Sequence, residues 1–114
     1  MNLPPFQPLS ADLSVSAQLD PSAMAQVAQA GFKSVVNNRP DFEEGPDQPC
    51  DADIEAAARA AGLAYAFLPV DPGHHTPEEI GRFAALLDEL PKPILAFCRS
   101  GTRSGRLYRA TLGG

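Results

Sequence analysis

The sequence predicts an α/β domain of three layers, in which a mostly parallel sheet carries helices on both faces. Short apolar strands alternate with helical patterns along the chain, which is typical of parallel strands joined by crossover helices. Glycine or proline marks most of the predicted boundaries. A chain of 114 residues has enough material for one hydrophobic core. We therefore expect residues 1–114 to form a single domain.

The first part of the chain predicts a lead-in, a strand, a helix and a second strand. Residues 1–10 are rich in proline and indicate an extended lead-in. Residues 13–18 alternate apolar and polar side chains, as a strand does. An aspartate followed by Pro21 begins a helix, and Gly31 ends it. The apolar residues 32–36 then predict a buried strand.

A long acidic loop divides the two halves of the predicted fold. Residues 39–50 contain three prolines and four acidic residues, a composition that excludes a regular element. Thr76 and Glu79 after this loop have the spacing of a capping box, which begins a helix. The elements predicted beyond the loop are a helix at 51–61, a strand at 64–70, a helix at 76–90, a strand at 94–97 and a helix at 104–111.

Composition and charge narrow the class of protein. The net charge is −5, yet residues 98–114 contain four arginines and no acidic residue. Because the rest of the chain would repel a polyanion, we expect a small anionic ligand at the basic end and no nucleic acid. No apolar run is long enough to cross a membrane, and the start of the chain lacks a signal-peptide pattern. We therefore expect a soluble protein. Two cysteines cannot form a disulfide framework, which is typical of a reducing compartment, so we expect a cytoplasmic location.

The segment CRSGTRS, residues 98–104, carries the strongest chemical signal. It joins a predicted buried strand to a predicted helix, so its backbone N–H groups surround a point at the helix N-terminus. Gly101 permits the turn, and Arg103 can bind an oxyanion through two parallel hydrogen bonds. The helix dipole and the arginines favour the thiolate form of Cys98. We therefore predict a Cys98 nucleophile beside an anion site. The predicted anion-binding residues are Arg99, Ser100, Gly101, Thr102, Arg103 and Ser104.

The chain resembles the phosphatase-like domain of beta-lactamase hydrolase-like proteins. The resemblance rests on GFKSVVNNRPD (31–41), IEAAARAAGLAYAFLPV (54–70), TPEEI (76–80) and FCRSGTRS (97–104). It implies a fold like that of protein tyrosine phosphatases, with an active-site cysteine loop. It also implies a role in sulfide and persulfide metabolism, often beside a persulfide dioxygenase.

Two reactions fit the Cys98 loop. Four residues separate Cys98 from Arg103. Tyrosine phosphatases have five residues between the corresponding cysteine and arginine, whereas rhodanese-type sulfurtransferases have a shorter loop, which this segment resembles. Sulfur transfer from thiosulfate or a small persulfide to a thiol is therefore the first expectation, and it needs no general acid or cofactor. The alternative is hydrolysis of a phosphoester through a phosphocysteine, which needs a general acid. Phosphatases that resemble this fold use an aspartate on the loop after the preceding strand, and this resemblance makes Asp71 the candidate acid. A module that binds an anion or a partner without catalysis is the third alternative.

Several weaker features have both a structural and a functional interpretation. Asn37, Asn38 and Arg39 follow a strand, and we expect them either to form a polar turn or to face the cysteine loop, where Arg39 would add an anion contact. Cys50 either packs near a helix start or resolves a persulfide. His74 and His75 lack a third ligand, so no metal site is expected. Arg106 and Arg109 extend the basic face of the last helix, either as solvated residues or as a docking surface for an acidic partner.

Overall fold

A central sheet organises the part of the chain that the computed structural model describes, residues 5–43, 45–71 and 73–113. Within those residues the sheet has five strands, in the order β1-β2-β5-β3-β4. The strands are β1 (Phe6–Pro8), β2 (Leu13–Ser16), β3 (Ser34–Asn37), β4 (Ala64–Phe67) and β5 (Ile94–Phe97). Strands β2, β5, β3 and β4 are parallel, while β1 pairs antiparallel with β2. The predicted mostly parallel sheet is confirmed.

The predicted lead-in contributes to this sheet. Its residues 6–8 form the antiparallel edge strand β1 instead of an unpaired extended segment. Residues 1–4 of the predicted lead-in lie outside the described residues. The antiparallel pairing places β1 at the edge of the sheet, next to β2.

Helices cover both faces of the sheet, as the sequence predicts. A short 3-10 turn at Pro21–Ala23 precedes the first α-helix, so the predicted helix over 20–30 is divided in two. The α-helices are α1 (Met24–Gln29), α2 (Asp51–Ala60), α3 (Pro77–Glu89) and α4 (Thr102–Gly113). In the described part of the chain, no helix is long and apolar enough to span a membrane.

The core consists of two apolar layers, one on each face of the sheet. Helices α1 and α2 pack against one face, where Val35 and Phe97 are buried. Helices α3 and α4 pack against the other face, where Val36 and Ala96 are buried. This division follows from the period of two along a strand, because consecutive residues of β3 and β5 point to opposite faces.

The register of the strands brings three loops to one edge of the sheet. Phe97, the last residue of β5, lies beside Ser16 at the end of β2 and Asn37 at the end of β3. The loops that follow these three parallel strands therefore start next to one another. Ligands of open parallel sheets bind at this carboxyl edge, and the segment 98–101 lies at its centre.

Candidate functional site

Cys98 directly follows the central strand β5 and is almost completely buried, with 1% of its surface exposed. Its backbone N–H donates to the Ser16 carbonyl oxygen at 3.4 Å. Its Sγ accepts a hydrogen bond of 3.0 Å from the backbone N–H of Gly101. The Gly101 N–H therefore holds the sulfur atom in a defined place within the loop.

Gly101 is required by the shape of this loop. Its φ of +92° is a conformation that residues with a Cβ rarely adopt, and a Cβ at this position would lie 3.3 Å from the backbone carbon and oxygen of Ser16. The same residue directly precedes the last helix, and its carbonyl oxygen accepts a 3.0 Å hydrogen bond from the Gly105 N–H. The glycine predicted to permit the turn therefore has this role in the structure.

A cavity of about 370 Å³ opens over the cysteine loop. Its size falls within the range of about 300–1,000 Å³ typical of small-molecule sites. It is lined by Glu43, Cys98, Arg99, Ser100, Thr102, Arg103 and Arg106. The structure thus brings five of the predicted site residues to one cavity and adds two residues to them, Glu43 and Arg106.

Arg103 is the buried cation of this cavity, with 7% of its surface exposed. Its Nη1 donates to the Val70 carbonyl oxygen at 3.2 Å, and its Nη2 donates to Glu43 Oε1 at 3.0 Å. Its Nε has no hydrogen-bond partner among the residues that the structure describes. A buried arginine with a donor to spare, in the same cavity as Cys98, is suited to hold an anion.

Glu43 is the site residue that the sequence did not reveal. Its Oε1 accepts hydrogen bonds from Arg103 Nη2 and Arg39 Nε, each 3.0 Å long. Partial burial opposes ionisation of the carboxyl group, but the two arginine hydrogen bonds and charges outweigh it and lower the pKa of Glu43. The acid-rich loop at 39–50, starting beside the end of β5, was the available signal, although it could not say which of its acids reaches Arg103.

Asn38 joins the loop after β3 to the start of α4. Its side-chain oxygen accepts a 2.8 Å hydrogen bond from Ser104 Oγ, and its side-chain nitrogen donates to the Leu68 carbonyl at 3.0 Å. The structure therefore brings Asn38 to the cysteine loop. Ser104, predicted among the anion-binding residues, donates its hydroxyl proton to Asn38. The last helix begins at Thr102, two residues before the predicted start.

A second polar network lies at the start of the loop after β3. Asn37 accepts a hydrogen bond from the Arg39 backbone N–H at 2.9 Å and donates to the Tyr65 hydroxyl at 3.1 Å. Tyr65 in turn donates to Asp51 Oδ1 at 2.6 Å. Burial and the neighbouring Asp51 carboxylate raise the pKa of Tyr65 far above its ordinary value, so the hydroxyl stays protonated and keeps this hydrogen bond.

Four predicted site residues do not line the cavity. Gly101 and Ser104 belong to the segment 98–104 itself, whereas Arg39 and Asp71 come from other loops. Arg39 is buried, and its guanidinium donates to Glu43 and to Gln18 Oε1, so it reaches the site through Glu43. Asp71 is exposed, and its Oδ1 accepts a 2.8 Å hydrogen bond from the Gly73 N–H. Cys50 is a half-buried free thiol at the N-cap of α2.

The comparisons with known proteins identify the family of this chain. The model of the family described as "Beta-lactamase hydrolase-like protein, phosphatase-like domain" matches residues 5–113. The chain belongs to this family. The resemblance inferred from the sequence is therefore confirmed.

Curated relatives of this phosphatase-like domain are longer proteins. The beta-lactamase hydrolase-like protein of Agrobacterium fabrum is 41% identical over 102 residues, which cover 90% of this chain and 21% of the relative. That of Xylella fastidiosa is 40% identical over 96 residues, which cover 84% of this chain and 22% of the relative. The chain thus spans about a fifth of the length of these relatives.

Solved structures similar to this domain include proteins that are named as phosphatases. A protein from Neisseria meningitidis, provisionally named a phosphatase, has a TM-score of 0.84 and 33% identity, covering 95% of this chain and 78% of its own. The core catalytic domain of the PP-IP phosphatase SIW14 from S. cerevisiae, in complex with citrate, has a TM-score of 0.69 and 15% identity, covering 92% of this chain and 64% of its own. TpbA from P. aeruginosa, in complex with pTyr, has a TM-score of 0.64 and 20% identity, covering 96% and 64%. The last two show the fold alone, which is that of the tyrosine-phosphatase group, as predicted.

Proposed function

We propose that this domain is a cysteine-dependent hydrolase of small phosphoesters. The observation that carries the proposal is that Cys98 and the buried Arg103 line one cavity. In that cavity the Cys98 Sγ accepts a hydrogen bond from the Gly101 N–H. The phosphatase-like family and the similar structure from Neisseria meningitidis support this reaction over the sulfur transfer that the sequence analysis placed first.

The reaction proceeds in two displacements at phosphorus. The Cys98 thiolate attacks the phosphorus atom, so that an S–P bond forms, the P–O bond to the leaving group breaks and the leaving oxygen takes the electron pair. Water then attacks the phosphocysteine, releases phosphate and restores the thiolate. Arg103 and the loop N–H groups stabilise the charge on the equatorial oxygens during both steps.

The carboxyl groups near the site suggest which leaving groups the enzyme accepts. Glu43 lines the cavity but is held ionised by two arginines, so it has no proton to give to a leaving oxygen. Asp71 acts as the acid only if its carboxyl group leaves the Gly73 N–H and turns to the substrate. We therefore propose substrates whose leaving group departs as an anion, such as aryl phosphates or phosphoanhydrides.

Sulfur transfer is the second candidate, and the four-residue spacing from Cys98 to Arg103 favours it. The Cys98 thiolate would attack the outer sulfur of thiosulfate and form the S–S bond of a persulfide. The S–S bond of thiosulfate would break, and sulfite would leave with its electron pair. An acceptor thiolate would then take that sulfur and release Cys98. This route also needs no proton donor. A persulfide dioxygenase partner and a cytoplasmic, reducing location belong to this second proposal.

One experiment with two arms tests both candidates. Purified protein is assayed for turnover of an aryl phosphate, and separately exposed to thiosulfate for measurement of intact mass. Turnover that is lost in Cys98→Ser and retained in Cys50→Ser supports phosphoester hydrolysis. A gain of about 32 Da, one sulfur atom on the thiol, with the same dependence on Cys98 and without phosphate release, would replace the first proposal by the second. Neither activity in the reduced protein would leave an anion-binding module.

A further inference from the structure

One carboxylate oxygen connects two buried arginines at the mouth of the site. Glu43 Oε1 lies 3.0 Å from both Arg39 Nε and Arg103 Nη2. The exposed fractions of the side chains are 5% for Arg39, 7% for Arg103 and 22% for Glu43. The carboxylate is thus the most accessible member of the cluster, and it lines the cavity that contains Cys98.

The bond to Glu43 uses a donor that a bound anion needs. Nε and Nη2 form one edge of a guanidinium, the fork that binds two oxygens of a phosphate or a carboxylate. On Arg103, Glu43 takes Nη2, while Nε has no partner among the described residues. The fork is therefore half occupied by a group of the protein itself.

The backbone beside Glu43 adds a second observation. Phe42 has a φ of +61°, a left-handed conformation that is unfavourable for a residue with a Cβ, and its side chain is exposed. Strained residues of this kind are held by contacts elsewhere in their segment. The contacts of this segment include the hydrogen bonds of Glu43 to the two arginines and the 3.1 Å bond from the Gly45 N–H to the Phe42 carbonyl oxygen.

We propose that Glu43 is an internal competitor for Arg103, which sets the affinity of the site for anionic substrates. In the free protein its carboxylate holds Arg103 Nη2, and an incoming anion replaces it there while also binding Nε. Glu43 keeps its bond to Arg39 in that state. The inference rests on the proposed use of Arg103 as the substrate anchor, and it makes Glu43 a determinant of affinity rather than a catalytic acid.

A purely supportive role for Glu43 predicts the opposite effect of substitution. If Glu43 only oriented Arg103, Glu43→Gln would loosen the arginine and weaken anion binding. If Glu43 competes, the neutral amide is displaced more easily and anions bind more tightly. The direction of the change in the dissociation constant therefore separates the two roles.

The test measures protection of Cys98 from alkylation by iodoacetamide at increasing concentrations of inorganic phosphate. All proteins carry Cys50→Ser, since serine suits the N-cap position and leaves Cys98 as the single thiol. We expect Glu43→Gln to lower the dissociation constant of phosphate by about three- to tenfold, because one charged hydrogen bond near the surface no longer opposes binding. The matched control is Glu55→Gln, which removes an exposed ion pair to Arg59 in α2 and leaves the constant unchanged.

The outcomes separate the inference from the function on which it rests. An unchanged or higher dissociation constant in Glu43→Gln, with protection in the parent protein, overturns the inference alone. Protection in neither protein overturns the inference and the proposed function together. If Glu43→Gln unfolds, Glu43→Asp replaces it, since the shorter acid reaches Arg103 less well and also gives tighter binding. In steady-state assays the Glu43 variants lower KM for an anionic substrate, a change that loss of structure does not produce.

Discussion

Two neighbouring loops at the carboxyl edge of the sheet contribute to the site in opposite ways. The loop after β5 is short, and its own backbone and Cys98 form the proposed anion site. The loop after β3, residues 38–50, is long and acidic, and it acts through side chains that reach across to Arg103 and Ser104. The groups of the proposed reaction therefore lie in the loop after β5, while their arrangement depends on both loops.

The charges of the two loops are complementary. Residues 98–104 contain two arginines and no acidic residue, whereas residues 39–50 contain four acidic residues and one arginine. Glu43 is where they meet, because it binds one arginine from each segment. Changes that break one loop and spare the other therefore show how far the site depends on each.

The largest effect is expected from Arg103→Lys in the cysteine loop. Lysine keeps the charge but cannot offer a two-pronged fork, so we expect aryl phosphate turnover to fall by about 10²-fold, as for loss of one transition-state donor. Arg109→Lys, further along α4, is the control and retains parental turnover. Turnover of Arg103→Lys within about threefold of the parent would show that the fork is dispensable.

Gly101→Ala tests whether the cysteine loop depends on its backbone shape. The alanine would be strained at φ +92° and crowded against Ser16, so we expect a loss of about 1–3 kcal/mol in the free energy of unfolding, together with lower activity. Gly105→Ala is the matched control, since its Cβ would meet no atom within 4 Å and alanine is the better helix former. Denaturant unfolding of both variants gives the comparison, and equal losses would contradict it.

Arg106→Ala tests the contribution of the rim of the cavity. Arg106 is exposed and lines the cavity, whereas Arg109, one turn later, lines a neighbouring one. Because solvent screens an exposed charge, we expect only about a two- to fivefold rise in KM for an anionic substrate, with kcat unchanged. Arg109→Ala should leave KM as it is. Equal effects of the two substitutions would indicate general steering by charge rather than a contact.

The smallest effect concerns the junction between the loops and depends on pH. The pKa of Glu43 is lowered from its ordinary value of 4.5 in the folded state. The ionised carboxylate therefore stabilises the fold above about pH 4.5, and this contribution is lost as the pH falls through the lowered pKa. We expect Glu43→Gln to cost about 1 kcal/mol near neutral pH. The free energies of unfolding of the two proteins should converge in acid, and a difference constant with pH would contradict the assignment.

Local sequence signals predicted the parts of this molecule whose contacts are local. The capping box of Thr76 and Glu79 occurs at the start of α3 as predicted, and the strand predicted at 94–97 has those bounds. Strand and helix ends differ elsewhere by a few residues, since the last hydrogen bonds of an element depend on the neighbouring elements that supply partners. Pairing of residues 6–8 with β2 was not predicted, because the prolines in residues 1–10 indicated an extended lead-in.

By itself, the sequence determined the α/β class and the family, and it located the proposed nucleophile, because periodicity, caps and the CRSGTRS segment are read within a few residues of one another. Only the tertiary structure decided which groups face Cys98. The bonds of Arg103 to Glu43 and of Ser104 to Asn38 join residues 60 and 66 positions apart. Such pairs form only when β3 and β5 lie side by side in register, and a linear sequence without that register cannot select one acid from the four in the loop.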